Sequence, residues 1–351
     1  MFIEGTETMD IQKTLFELCR LWGPSGFEEK VSAHCAAILG EYTRDVKTDR
    51  LGNVLASIPC GKTGARKVLV DAHVDEIGMI VSGIEEGFLK FETIGGVDPR
   101  MLPGREVVIL TEDPLFGVVS CLPPHVLTAE QMEKPIPVKD MFIDAGFSDE
   151  EARKRIPIGT PVVYRDEPRA LENRILSGKA MDDRAGFVAL VQTLELLKGR
   201  ALGVDLLVAA GAQEEVGMRG AGPLAYAVSP DYAVIVDVSH AHTPDSKGQT
   251  SCKFGGGPSI GIGPNTDRRF TQYIRDTAVS RDIPHQLTVH TRNSGTNAFP
   301  VQVARAGVIT AMVEIPTRYM HSPVECLMID DIENTAKLIA AVLEGMDGEG
   351  F

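Results

Sequence analysis

Apolar residues recur at helical spacing over Ile11 to Trp22 and again over Phe27 to Tyr42. The Gly23-Pro24-Ser25-Gly26 break between them supplies a turn and a helix start, so two helices are predicted to open the chain. Lys67-Val68-Leu69-Val70 is short, apolar and β-branched, and it runs into Asp71-Ala72-His73-Val74-Asp75, the pattern of a buried strand delivering polar groups at its end. From about Gly78 to Ala170 the texture changes: short β-type runs (Val107 to Leu110, Gly117 to Cys121, Pro161 to Tyr164) alternate with Gly and Pro and show little helical pattern. The helical pattern then returns over Asp183 to Lys198. Strands are predicted at Leu206 to Ala212, Tyr232 to Val236 and Val308 to Ile315, with helices near Thr266 to Arg281 and in a final segment opened by Asp330 or Asp331. Strands alternating with helices imply an α/β fold, a mostly parallel central sheet flanked by helices, with a small β-rich domain inserted over 78–170 between segments 1–77 and 171–351. At 351 residues the chain is longer than one core usually grows, which agrees with an insertion.

Composition narrows the function. With 43% hydrophobic and 24% charged residues, the chain has the balance of a water-soluble globular protein. No apolar run approaches the roughly 20 residues that span a bilayer, and the amino terminus does not resemble a secretory signal, so a cytoplasmic location and no membrane partner are expected. A formal net charge of -14 argues against nucleic acid as a partner. The six cysteines are scattered without a C-x-x-C pair, so they are expected to be reduced and mostly buried. Any metal must therefore be held by His and carboxylates.

Acidic residues or His stand at or just beyond strand ends five times: His73 with Asp75, Asp182, Glu214 with Glu215, Asp237, and His321. Ligands of open α/β sheets bind at the carboxyl ends of strands, so these segments are candidates to share one crevice. His73 and Asp75, two apart on a strand, share a face, and a carboxylate there can orient the imidazole of a metal ligand. Taken alone, a core His beside a loop Asp is the plainer reading. Asp182-Asp183 precede a patterned helix; one can cap it while the other faces metal, and a single carboxylate can bridge two cations. Glu214-Glu215 follow a wholly apolar, small-residue run, where paired acids repel unless a cation or proton separates them; one would be ligand and the other general base. Asp237 alone could be a turn residue and His321 a surface loop residue, so both depend on context. His240 and His242 are expected to be loop histidines without a metal role. Gly255-Gly256-Gly257-Pro258 and Gly261-Ile262-Gly263 lack phosphate-loop spacing and are expected to be turns or points of close backbone approach.

Together Asp71-Ala72-His73-Val74-Asp75-Glu76-Ile77-Gly78, Lys179-Ala180-Met181-Asp182-Asp183-Arg184, Gln213-Glu214-Glu215-Val216-Gly217, Val236-Asp237-Val238 and Arg318-Tyr319-Met320-His321-Ser322-Pro323 resemble, in order, the motif series of the tetrahedral (TET) aminopeptidases. That group includes glutamyl and deblocking aminopeptidases and proteins labelled endoglucanase M, and the likeness covers nearly the whole chain. It implies a metallopeptidase with two divalent ions, zinc foremost and cobalt or manganese as alternatives. Asp182 would bridge them, His73 and Asp237 would complete one site, and Glu215 and His321 the other. Glu214 would be the general base and Asp75 the support of His73. The insert would be a dimerisation domain, with dimers assembling into a tetrahedral dodecamer that acts on peptides. The family's usual Gly-Thr-Asp-Ala is here Gly295-Thr296-Asn297-Ala298, which leaves the ligands intact but loosens any carried-over substrate preference. Three competing readings remain. Deacylation of N-acyl amino acids uses the same metal chemistry. A glycoside hydrolase would need two carboxyls facing each other across a sugar. The last is a non-catalytic binding module.

Overall fold

The computed structural model describes residues 9–246, 251–347 and 351. Helices α1 (Ile11–Arg20) and α2 (Glu29–Gly40) open it, followed by strands β1 (Val46–Thr48), β2 (Val54–Ile58) and β3 (Lys67–His73). Next come β4 (Gly78–Glu85), β5 (Phe88–Ile94), β6 (Glu106–Ile109), β7 (Leu115–Ser120), the short α3 (Ala129–Met132), β8 (Phe142–Asp144), α4 (Asp149–Arg155) and β9 (Pro161–Tyr164). The chain continues through β10 (Arg169–Ala170), β11 (Ile175–Gly178), α5 (Met181–Leu197), β12 (Asp205–Gly211), α6 (Ala221–Val228), β13 (Tyr232–His240), β14 (Ser259–Ile262) and α7 (Arg268–Ser280). It ends with β15 (Gln286–Val289), α8 (Ala298–Gln302), β16 (Ile309–Thr317), β17 (Glu325–Met328) and α9 (Ile329–Gly345).

Among the described residues one sheet has eight strands in the order β1-β2-β12-β3-β13-β16-β14-β15. Its centre, β12-β3-β13-β16, is parallel, as the apolar runs predicted; β2 and β14 flank it antiparallel, and β15 runs parallel to β14. A small closed barrel, β4-β5-β8-β7-β6-β9, has its own core built on Met79, Phe91, Val107, Ile143 and Tyr164. Strands β10, β11 and β17 make a third, small sheet.

Side-chain alternation decides where the site lies. On one face of the large sheet, Val70, Ala72, Val208, Val234, Val236, Val313 and Ile315 join the main core with α1, α2, α5 and α9. On the other face, Leu69, Ala209, Ala233, Ile235 and Met312 pack under the short helices α6 and α8. Those two helices cover only part of that face. Toward the strands' carboxyl ends, the same alternation places Asp71 and His73 of β3, Asp237 of β13 and Glu314 of β16 there, all buried.

Three local expectations change. Strand β13 runs past Val236 through His240, which is therefore a strand residue and not a loop histidine. The last helix is not opened by Asp330 or Asp331: it begins at Ile329, and the Asp331 carboxylate, inside its first turn, instead accepts the N–H groups of Gly255 and Gly257 at 2.9 and 2.8 Å. Gly23-Pro24-Ser25-Gly26 is more than a turn, because Gly23 and Ser25 exchange backbone hydrogen bonds with Glu76. No described helix is long and apolar enough to cross a membrane.

Candidate metal centre

All five residues expected as ligands line one cavity of about 880 Å³, together with Glu214. β3 carries His73 to the crevice with its two ring nitrogens divided: Nε2 lies 3.1 Å from Asp182 Oδ1, and Nδ1 lies 3.4 Å from Asp75 Oδ1. His321 is divided the same way. Its Nδ1 is 3.0 Å from the Gly96 carbonyl oxygen, which fixes it as the N–H donor, while Nε2 is 3.5 Å from Asp182 Oδ2 and 3.3 Å from Glu215 Oε2. The Asp182 carboxylate therefore faces a different imidazole with each oxygen. One ligand atom from each of His73, Asp182 and Glu215 falls within 4.8 Å of the others, a spacing one cation can span.

The backbone around these groups is held in unusual shapes. Ala180, Gln213 and His321 all have left-handed φ, at 56°, 57° and 62°, which costs on the order of 1–2 kcal/mol each for a residue with a Cβ. Buried carboxylates hold the segments in place. Glu325 accepts the His321 N–H at 2.8 Å and the Asp182 N–H at 3.1 Å. Asp75, fully buried, accepts the N–H groups of Glu214 and Glu215, both at 3.1 Å, and the Ser25 hydroxyl at 2.5 Å. Asp183 is not part of the cavity lining and accepts the Gly186 N–H at 3.1 Å, capping the helix, while Asp182 lines the cavity. Gly96 must be glycine: a Cβ there would stand 2.5 Å from His321 Nδ1.

Electrostatics set the chemistry. Burial pushes the Glu214 carboxyl up to about 8, with Glu215 and Asp75 adding repulsion. Burial also drives Glu215 and Asp237 well above the ordinary carboxylate range, aided by the charges of Asp182 and Glu214 respectively. Asp182 goes the other way. Burial opposes its charge, but hydrogen bonds from His321 and His73 outweigh that and hold it well below the usual range. Two imidazoles with Nε2 aimed inward, one with Nδ1 bonded to the Gly96 carbonyl and the other with Nδ1 facing Asp75 at 3.4 Å, beside carboxylates too crowded to ionise together, are the donors a divalent cation takes. The residues present fit a metal.

Asp237 reaches the same cavity with its Oδ1 accepting its neighbour Val238 N–H at 2.7 Å. His240 stands at the cavity wall and His242 bonds Ser246 outside it. Asn297, the departure from the family pattern, does not line the cavity; its Nδ2 donates to Asp71 Oδ2 at 2.8 Å beneath it. The sequence reading missed Glu325, the second task of Asp75, and the pair formed by Glu314 and His290 in the cavity wall. Glu314 had a signal: a lone acid inside an apolar strand.

A family model described as M42 glutamyl aminopeptidase matches residues 52–338. A lysyl aminopeptidase of Pyrococcus furiosus is 35% identical over 94% of this chain and 95% of its own length. Among solved structures, an aminopeptidase of the archaeon Desulfurococcus kamchatkensis superposes with a TM-score of 0.90 at 34% identity, covering 97% of this chain and 96% of that one. The Pyrococcus horikoshii TET1 peptidase, described as assembling into a tetrahedron or a large octahedral shell, gives 0.84 at 30% identity, with 96% and 100% covered.

Proposed function

This chain belongs to the M42 glutamyl aminopeptidase family and is a metal-dependent aminopeptidase, and from that premise we propose how its site is divided. His73 and Asp237 hold one divalent ion, Glu215 and His321 a second, and Asp182 bridges them. The observation that carries this reading is the Asp182 carboxylate, whose two oxygens face two different inward-aimed imidazoles. Zinc suits imidazole and carboxylate donors, and cobalt or manganese accept the same set. When bound, such a pair supplies Lewis acidity toward the scissile carbonyl and a water acidic enough to ionise near neutrality. Glu214 is the general base. Its side chain lines the cavity, where an ionised carboxylate can take a proton from water and return it to the leaving amine. Asp75 is a positioning residue: it holds His73 and, through two backbone N–H groups, the Glu214-Glu215 turn.

The chain's two segments, 1–77 and 171–351, form the catalytic domain in this proposal, and 78–170 a dimerisation domain. The barrel supports that role by leaving Phe116, Leu122, Val126 and Met132 about half exposed. Dimers would assemble into a tetrahedral dodecamer acting on peptides in the cytoplasm, a reading that the TET1 peptidase's assemblies favour and that sedimentation of the purified chain tests.

The activity test is chelation. Purified enzyme stripped by EDTA should lose cleavage of aminoacyl-anilides and regain it with zinc, cobalt or manganese; turnover indifferent to the chelator would overturn the assignment.

A further inference from the structure

The cavity extends past the ligand cluster to a second acidic position that the proposed mechanism does not use. Glu314 lies on β16 directly in register with Asp237 on the parallel neighbour β13, so the two carboxylates project from the same face of adjacent strands about 4.8 Å apart. Glu314 is only 2% exposed, yet it lines the cavity. Its side chain has one partner among the described residues, His290 Nε2, 3.1 Å from Oε2; the other oxygen has none. On the antiparallel neighbour β14, the register partner of Glu314 is the buried Ser259, whose hydroxyl pairs with that of Thr288, while Gly261, where a Cβ would stand 3.5 Å from Oε2, brings no side chain to that oxygen. The segment ahead of His290 carries Leu287 and Val289, both exposed apolar residues that line the cavity.

We infer that Glu314 determines specificity and selects peptides whose N-terminal side chain is basic, lysine or arginine. Glu314 stands one strand away from the proposed ligand Asp237 in the same cavity, within reach of the N-terminal side chain of a substrate whose first peptide bond is at the metal centre. Each class of side chain meets the same wall. An acidic one is repelled by Glu314. An aliphatic one leaves a buried carboxylate with its free oxygen unpaired and stripped of water, which is costly. A basic one lays an apolar stem along Leu287 and Val289 and brings its cation to the unused oxygen in a charge-assisted hydrogen bond. His290, 20% exposed against 2% for Glu314, is the nearer to solvent of the pair and can yield its place. This inference rests on the aminopeptidase reading above.

The test is a panel of Lys, Arg, Leu, Ala and Glu aminoacyl-coumarins with metal-loaded enzyme. The expected kcat/KM for Lys and Arg exceeds that for Leu and Glu by at least about tenfold, since a site built to pair a polar group discriminates strongly. Glu314→Gln should lower the Lys-to-Leu ratio by at least about tenfold, while His290→Ala, which removes the competing partner of Oε2, should keep or raise it. Preference for Glu or Leu in the native enzyme, or an unchanged ratio in Glu314→Gln, overturns the inference and leaves the aminopeptidase reading intact. Failure to cleave any member of the panel counts instead against that reading. Should Glu314→Gln not fold, calorimetric binding of lysinamide and norleucinamide to the native metal-loaded protein decides: lysinamide at least about tenfold tighter supports the inference, and equal affinity overturns it.

Discussion

Lys179 donates to both carboxylate oxygens of Glu76, at 2.9 and 2.7 Å, with each side chain 3% exposed. Arg184 reaches the same carboxylate at 3.1 Å and also binds the carbonyls of Leu18, Leu21 and Val74. Lys179 and Arg184 flank Asp182 in sequence, and Glu76 follows His73 and Asp75. The buried ions thus join the segments that carry the proposed ligands and link both to the end of α1. Burial pushes Glu76 up, but Lys179 and Arg184 outweigh it and hold the carboxyl below its ordinary value.

Removing one partner strands the others. Glu76→Gln is expected to cost on the order of 3–5 kcal/mol, because two buried cations lose their counter-charge. Thermal unfolding of Glu76→Gln, Lys179→Met and the double variant checks this: the double variant should be less destabilised than the sum of the singles. Additive losses would mean that the pair is not coupled.

Glu214 and His321 separate base from ligand. Glu214→Gln should retain bound metal and lose about 10²- to 10⁴-fold in kcat, the usual contribution of a general base. His321→Ala should lose metal, since Nε2 is the nitrogen turned toward Asp182 and Glu215. Metal analysis beside steady-state kinetics distinguishes the two. Near-native turnover in Glu214→Gln would remove it from the proton-transfer role.

The same physics explains what the sequence disclosed. The parallel centre of the sheet was readable because its strands are buried on both faces and therefore nearly continuous apolar runs, and a polar residue ending such a run, as in His73 or Asp237, points at a crevice. Glu314 carried an equal signal but sat inside a run read simply as strand. Strand β4, interrupted by Gly83, and strand β5, which mixes Lys90, Glu92 and Thr93 with its apolar residues, gave no clear alternation. The task of Glu325 and the second task of Asp75 were not readable, since both carboxylates bind backbone N–H groups of distant loops, and every residue except proline offers that donor. Asp331 fits the same description, a helix acid whose partners are two loop glycines.

Asp75→Asn is the sharper probe of positioning. The native carboxylate accepts Glu214 N–H on one oxygen and Glu215 N–H on the other, whereas the amide keeps one acceptor and presents a donor to the second N–H. It also weakens the hold on His73 Nδ1. Metal affinity should fall about 10- to 100-fold, as when the outer partner of a ligating histidine is lost. Titration against a chelating dye measures it; native affinity would mean that His73 and the Glu214-Glu215 turn hold their places without Asp75.

Metal binding and pH are linked with a definite sign. Burial raises Glu214 and Glu325 to about 8 and drives Glu215 and Asp237 well above the ordinary range, so in the folded, metal-stripped chain these groups hold protons that an unfolded chain would release. The stability they contribute is fully present below the ordinary carboxylate pKa and is lost as pH rises through their folded values. The stripped protein should therefore melt progressively lower from about pH 5 to 8, and added zinc should raise the melting temperature most at the upper end, where cation and proton no longer compete. Calorimetry in buffers of different ionisation enthalpy should show protons released on binding. Proton uptake, or a metal effect that grows toward acid, would mean that the carboxylates facing Asp182 are not the groups that hold the ion.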